Sequence, residues 1–165
     1  MMLKFSNDLF DSLIRRAKNS PRSRQFFNIY QHHEEPCQRL LNAINVGSYI
    51  QPHRQVNSGK KEMLVAFMGK FAVIKFSEQG QLDDFTFFAT EKYLDQETTT
   101  IGIELDCNCW HAVIAIKPNS VLLEIKAGPF DVSVAKDCSP WSPPTDSKGV
   151  DDYVRKLYGF CGITL

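Results

Sequence analysis

His53 and Gln55 stand two residues apart in the stretch GSYIQPHRQ, so on a strand that persists to Gln55 both side chains leave the same face. A turn rich in Asn, Ser, Gly and Lys follows at residues 57–61, and Glu62 opens a second apolar run that closes at Gly69. A hairpin register can bring the Glu62 carboxylate opposite the first pair. Imidazole, amide oxygen and carboxylate are all metal donors, and one further donor would make a site. His111, in the strand-like CNCWHAVIAIKPNS, is the candidate. Two imidazoles and one carboxylate with positions left open suit Fe(II) and also tolerate Mn, Co, Ni or Zn. The amide oxygen of Gln55 is a weaker donor than imidazole; it reads either as a feeble fourth ligand or as a hydrogen-bond partner of a metal-bound water. Taken singly, His53 and His111 would be ordinary hydrogen-bonded histidines, and it is the set that points to a divalent transition metal.

The order Gly47-x5-His53-x-Gln55-x6-Glu62-x6-Gly69, followed by a later strand opening at His111, resembles the two-motif signature of cupins. Within that superfamily the chain resembles the WbuC family of cupin-fold metalloproteins over most of its length. The segments carrying the likeness are QHHEEPCQRLLNAI, YIQPHR, KKEMLVAFMGKFAV, WHAVIAIKPNSVLLEIKAGPF and KDCSPWSPP. The resemblance implies a mainly β fold, a double-stranded β-helix (jelly-roll barrel), with a metal inside one end. It also implies homodimers, which are common among cupins, and a small polar, sugar-derived ligand in bacterial surface polysaccharide (O-antigen) synthesis. The chain departs from the family pattern at Gln55, where histidine is usual.

Other residues near these motifs have chemical readings beside structural ones. Arg39 and Arg54 could grip an anionic substrate group through two hydrogen bonds, though an ion pair within the chain is the preferred reading. Tyr49, at the parity of His53, could line the barrel mouth or serve as a core aromatic. Cys109 shares parity with His111, but a lone C-x-C is poor for structural zinc, and a buried thiol is expected. His32 and His33, beside Glu34 and Glu35, read as a solvated patch from which one histidine could reach the pocket. Trp141 in SPWSPP reads as a lid packed on the barrel wall.

The elements that must position these groups follow from periodicity. Leu9, Phe10, Leu13, Ile14 and Ala17 form the apolar stripe of a helix over Leu3 to Lys18, capped by Ser6 or Asn7 and stopped at Asn19-Ser20-Pro21. Arg24 to Tyr30 is β-prone, and Pro36 to Ile44 reads as a short helix with Leu40, Leu41 and Ile44 inward. Strands are expected at Ser48–His53, Glu62–Met68, Phe71–Phe76, Phe85–Ala89, Thr99–Leu105, Trp110–Ile116 and Val121–Lys126. Glu62–Met68 and His111–Ile116 are apolar at both parities, so both faces need cover, either from the N-terminal elements or from a second subunit. A closing helix is expected over Asp151–Tyr158, with Gly159 ending it. The expected organisation is one globular domain: a helix/strand/helix extension (1–46) packed on the barrel, the cupin barrel (47–130), and a Pro-rich segment with a C-terminal helix (131–165).

Composition narrows the function classes. The 165 residues suit one domain with its own core, 43% are hydrophobic, and Lys plus Arg (19) balance Asp plus Glu (19). A chain without net charge has no field to attract nucleic acid or an anionic membrane. Neither a signal-like N-terminus nor a spanning run is visible, and the five scattered cysteines suit free thiols, so a cytoplasmic location is expected. The expected partner is a small-molecule ligand. Two functions fit: a metal-dependent isomerase, epimerase or dioxygenase with Glu62 as proton carrier, or a non-catalytic ligand-binding cupin whose metal site is weak or lost. A metal-independent epimerase using His53 with Tyr49 is a weaker third.

Overall fold

The computed structural model describes residues 2–56, 60–129 and 137–165. The expected turn at residues 57–59 and the polar segment 130–136 lie outside the described residues. Helix α1 (Asn7–Lys18) starts where the Ser6 hydroxyl accepts the Leu9 N–H at 3.4 Å, and its basic residues Arg15, Arg16 and Lys18 sit in the last turn, where they oppose the helix dipole. Its apolar side buries Leu13, Ile14 and Ala17.

Ten strands follow: β1 (Arg24–Asn28), β2 (Cys37–Ile44), β3 (His53–Arg54), β4 (Glu62–Met68), β5 (Lys70–Phe76), β6 (Leu82–Ala89), β7 (Gly102–Leu105), β8 (Trp110–Ala115), β9 (Ser120–Ala127) and β10 (Asp137–Cys138). They form two five-stranded sheets, ordered β1-β2-β9-β4-β7 and β10-β3-β8-β5-β6, with every pairing antiparallel. This is the cupin jelly roll, with α1 as its N-terminal extension and a second helix, α2 (Val150–Phe160), near the C-terminus. The chain passes from one sheet to the other at Gly69, whose φ of +82° favours glycine; a Cβ there would also overlap Ser120.

Strand alternation sorts three apolar clusters. Ile44, Leu64, Ala66, Leu105 and Leu122 from the first sheet meet Phe71, Val73, Phe88, Val113 and Ala115 from the second inside the barrel. Leu41, Ala43 and Val121 turn outward under α1. Ala72, Ile74, Ala112 and Ile114 turn outward under Val154, Leu157 and Tyr158 of α2. The Tyr158 hydroxyl donates to the Ala115 carbonyl at 2.7 Å and accepts the Gly47 N–H at 2.9 Å, fastening α2 to β8 and to the loop before β3.

Several expectations are corrected. Pro36–Ile44 is not a helix: Cys37–Ile44 is a strand between β1 and β9, and its sequence looked helical because both faces are apolar, Leu41 and Ala43 toward α1 and Ile44 into the barrel. Ser48 to Pro52 is irregular, and only His53–Arg54 pairs as strand. All of β8 is buried as expected, but its outer cover is α2 rather than an N-terminal element or a second subunit. On β4, Met63 is exposed. Gly159 lies inside α2, which ends instead at Cys161; Gly162 takes φ +70°, with its N–H on the Gly159 carbonyl and the Ile163 N–H on the Tyr158 carbonyl. Among the described residues no helix is long and apolar enough to cross a membrane, and Cys37, Cys107, Cys109, Cys138 and Cys161 are free thiols.

Candidate metal centre

His53 on β3 and His111 on β8 face each other in register, and their ring centroids lie 4.6 Å apart. Glu62 opens β4 on the opposite sheet and points across the barrel, its Oε2 3.7 Å from His111 Nε2. The donor atoms of His53, Glu62 and His111 all lie within 4.8 Å of one another, and the residues are 4%, 3% and 2% exposed. Donors held at about 2.0–2.2 Å from one cation sit roughly 3–3.5 Å apart, so modest side-chain adjustment closes the set around an ion.

Ring orientation supports the same fit. His53 Nδ1 lies 2.9 Å from the Gln51 carbonyl, and His111 Nδ1 lies 2.9 Å from the Cys109 carbonyl. A carbonyl can only accept, so each Nδ1 carries a hydrogen, and in the neutral ring each Nε2 then presents its lone pair, which is how metal-binding imidazoles are usually held. Sequence produces this locally. Both histidines follow an i−2 residue whose carbonyl is turned back toward the ring, Gln51 before Pro52 and Cys109 before Trp110. An imidazole pair and a carboxylate buried together suit a divalent cation, which would supply the positive charge that a buried carboxylate needs.

Gln55 departs from the fourth-ligand expectation. The strand stops at Arg54, so alternation no longer sets its side chain, and its Nε2 donates to Glu62 Oε2 at 3.1 Å. It holds the carboxylate through its N–H rather than offering its oxygen. Tyr49 does not join His53: it packs beneath α2, and its hydroxyl donates to the Pro143 carbonyl at 2.7 Å. Burial comes first among the causes that raise its pKa.

Arg54 is engaged within the chain, bonding Asp137 at 2.9 Å and Glu78 at 3.2 Å while its guanidinium lies 4.4 Å from the Trp110 ring centre. Arg39 pairs with Glu35 at 2.7 Å. Cys109 edges the interior cluster, and Trp141 packs against Phe76 and Trp110 on the outside of the second sheet, as a lid should. His32 is exposed, whereas His33 reaches the lining of a cleft beside the barrel mouth.

Two residues near the site escaped the sequence reading, Glu124 and Lys126 on β9. Lys126 lies opposite Glu62 and Glu124 opposite Leu64, and the Lys126 ammonium bonds Glu124 at 2.8 Å. Burial opposes the charge on Lys126 most strongly, but the neighbouring Glu124 and Glu62 carboxylates outweigh it and leave the pKa raised. Their signal was the shared parity of Leu122, Glu124 and Lys126, ordinarily the mark of a solvated strand face. Here that face is the barrel's polar end. The donor cluster, together with Asn42, Ile50 and Glu124, lines a cavity of about 30 Å³.

Residues 5–87 match the profile of a family described as a domain of unknown function (DUF6016). No curated protein matches the chain. Among solved structures the chain is similar to protein SO0799 from Shewanella oneidensis, with 12% identity, a TM-score of 0.56, and 78% of this chain and 82% of that one covered. It is also similar to the salicylate 1,2-dioxygenase of Pseudoaminobacter salicylatoxidans in complex with gentisate, with 8% identity, a TM-score of 0.57 and 82% of this chain covered. A third similar structure is the capsular polysaccharide assembling protein CapF of Staphylococcus aureus, with 12% identity, a TM-score of 0.53 and 72% of this chain covered. The chain spans 37% of the dioxygenase and 30% of CapF. At these identities the likeness concerns the fold.

Proposed function

We propose that this chain, which belongs to the family described as a domain of unknown function (DUF6016), is a metal-binding cupin that holds one divalent transition-metal ion on His53, Glu62 and His111 and acts on a small polar molecule. The observation that carries the reading is the pair of Nδ1–H bonds to the Gln51 and Cys109 carbonyls, which commits both Nε2 atoms to ligation beside a buried carboxylate. When bound, such an ion polarises a carbonyl or hydroxyl oxygen of the ligand. The chain's own groups do the positioning. Gln55 fixes the Glu62 carboxylate, the backbone carbonyls fix the two rings, and Ile50, Leu64 and Val113 line the cavity with apolar surface that limits water. Glu62 is the proposed proton carrier in a state where its carboxylate has left the metal, since a carboxylate oxygen positioned beside the ligand can take and return a proton.

The resemblance to WbuC proteins and the fold shared with a capsular polysaccharide assembling protein favour a sugar-derived ligand in surface polysaccharide synthesis. The shared dioxygenase fold keeps oxygen chemistry beside isomerisation and epimerisation. Cytoplasmic location and a homodimer belong to the same proposal, and light scattering on the purified protein tests the dimer.

A second reading is favoured by one observation: Gln55 offers its N–H rather than a fourth donor atom. On that reading the barrel binds its ligand without turnover. Elemental analysis after expression with Fe, Mn, Ni and Zn present separates the two. Close to one equivalent per chain is the expected result, and less than about a tenth of an equivalent would transfer the assignment to the binding module, because a working site fills by mass action.

A further inference from the structure

The cavity at the donor cluster, about 30 Å³, has room for an ion with one or two waters and not for an organic ligand. Beside it lies a cleft of about 400 Å³ that shares Asn42, Ile50 and Glu124 with the smaller cavity. Its floor follows from strand register. On the first sheet, Phe26 lies opposite Asn42 and Asn42 opposite Leu122, while Asn28, Leu40 and Glu124 form the next row. These residues share the inward parity of Glu62 and Leu64, so cleft and donor cluster are one continuous face of the sheet.

The charges of that face are unequal. Among the described lining residues Arg24 and Lys126 face the single carboxylate of Glu124, Arg22 pairs with Asp146 at 3.7 Å, and Tyr30 and Asn42 add hydrogen-bonding groups. We infer that this cleft is the ligand chamber of the barrel and takes a small hydroxylated organic anion, with Lys126, opposite Glu62 in the sheet, fixing the anionic end and the hydroxyl groups lying against Asn42 and Glu124, which border the cavity of His53, Glu62 and His111. The assignment rests on the metal-binding reading above for the direction of the ligand, and on the cleft alone for its charge. Lys126 suits the role because it places an ammonium, a compact cation, in the cleft lining beside Glu124. Arg24, which is half-buried and donates to the Tyr49 carbonyl, adds a fixed positive charge to the lining. A carboxylate or a phosphate monoester satisfies the same chemistry.

The test is calorimetric titration of the full chain, both metal-loaded and stripped with chelator, using gluconate, glucose 6-phosphate and the uncharged polyol glucitol as probes. At least one of the two anions should bind about tenfold or more tightly than glucitol, since a charge-assisted contact is at stake, and which anion prevails identifies the head group. The double variant Lys126→Met/Glu124→Met removes the pair without orphaning one charge and should lower anion binding about tenfold, a clearly larger loss than that for glucitol. Anions binding no better than glucitol, or binding that the double variant leaves intact, would overturn the assignment. Should the double variant not fold, amide shift mapping on the wild-type chain decides. Perturbations gathered on Tyr30, Asn42, Glu124 and Lys126 support the cleft, and perturbations elsewhere or none refute it. Dependence on Lys126 is read in the stripped protein too, so a chain that holds no metal would fail the functional reading and leave this one standing.

Discussion

On β8, His111 and Ala115 leave the same face four residues apart, one into a set of metal donors and the other into the apolar end of the barrel with Phe71 and Phe88. The same split runs along β4, from Glu62 to Ala66, and along β9, from Lys126 and Glu124 to Leu122. Two ends of one interior are thus built from the same strands at the same parity. At one end burial is its own stabilisation, because apolar surface leaves water. At the other, each buried charge persists only with a partner: Glu62 with the Gln55 amide, Glu124 with Lys126. The polar end therefore spends stability on geometry, and the apolar end supplies it.

This contrast is open to attack from either side. The largest effect should come from the apolar end. Phe88 is fully buried and its ring stacks on Phe71 with centroids 5.3 Å apart, so Phe88→Ala should cost about 3–5 kcal/mol in urea unfolding and leave metal stoichiometry unchanged in the folded fraction. At the polar end, His111→Ala should weaken metal binding by about a hundredfold or more while the circular dichroism spectrum is kept. Loss of the fold with that substitution would make His111 a structural residue and end the contrast.

A third site isolates burial without a partner. Cys161, beneath α2 and outside the barrel, has its thiol pushed up to about 11 by burial. The folded value lies above the ordinary one of 9.0, so the stabilisation is complete below about pH 9 and is lost as pH rises toward 11. The loss across that window should be roughly 2 kcal/mol larger in the wild-type chain than in Cys161→Ala, which keeps the phenols of Tyr49, Tyr153 and Tyr158, also raised by burial, as read by denaturant unfolding at a series of pH values. The smallest effect expected is Gln55→His. Placing an imidazole there should tighten metal binding by about tenfold; no change would show that position 55 serves only to hold Glu62.

How far the sequence reached is clearest at particular residues. Glu62–Met68 was readable to its ends, and β5, β8 and β9 to within a residue or so, because turn residues bracket short apolar runs. The grouping of His53, Glu62 and His111 was readable because His53 closes one such run and Glu62 and His111 stand at the openings of two others. Cys37–Ile44 was misread as helical, since a strand covered on both faces loses its alternation. Of the two readings of Tyr49 the core aromatic is the one the structure has; the sequence could not choose because the strand expected to carry it is irregular, and a helix a hundred residues later covers its ring. Glu124 and Lys126 were invisible because charge on one strand face ordinarily means solvent, and only the assembled barrel shows that this face is enclosed.

The central claim is that His53, Glu62 and His111 converge on one cation, and anomalous diffraction from crystals of the metal-loaded protein tests it most directly. The account predicts a single strong peak about 2.0–2.4 Å from Nε2 of both histidines and from the Glu62 carboxylate. A fully loaded crystal whose peak sits on other side chains, or whose histidine rings keep their Nε2 atoms turned away from it, would contradict it.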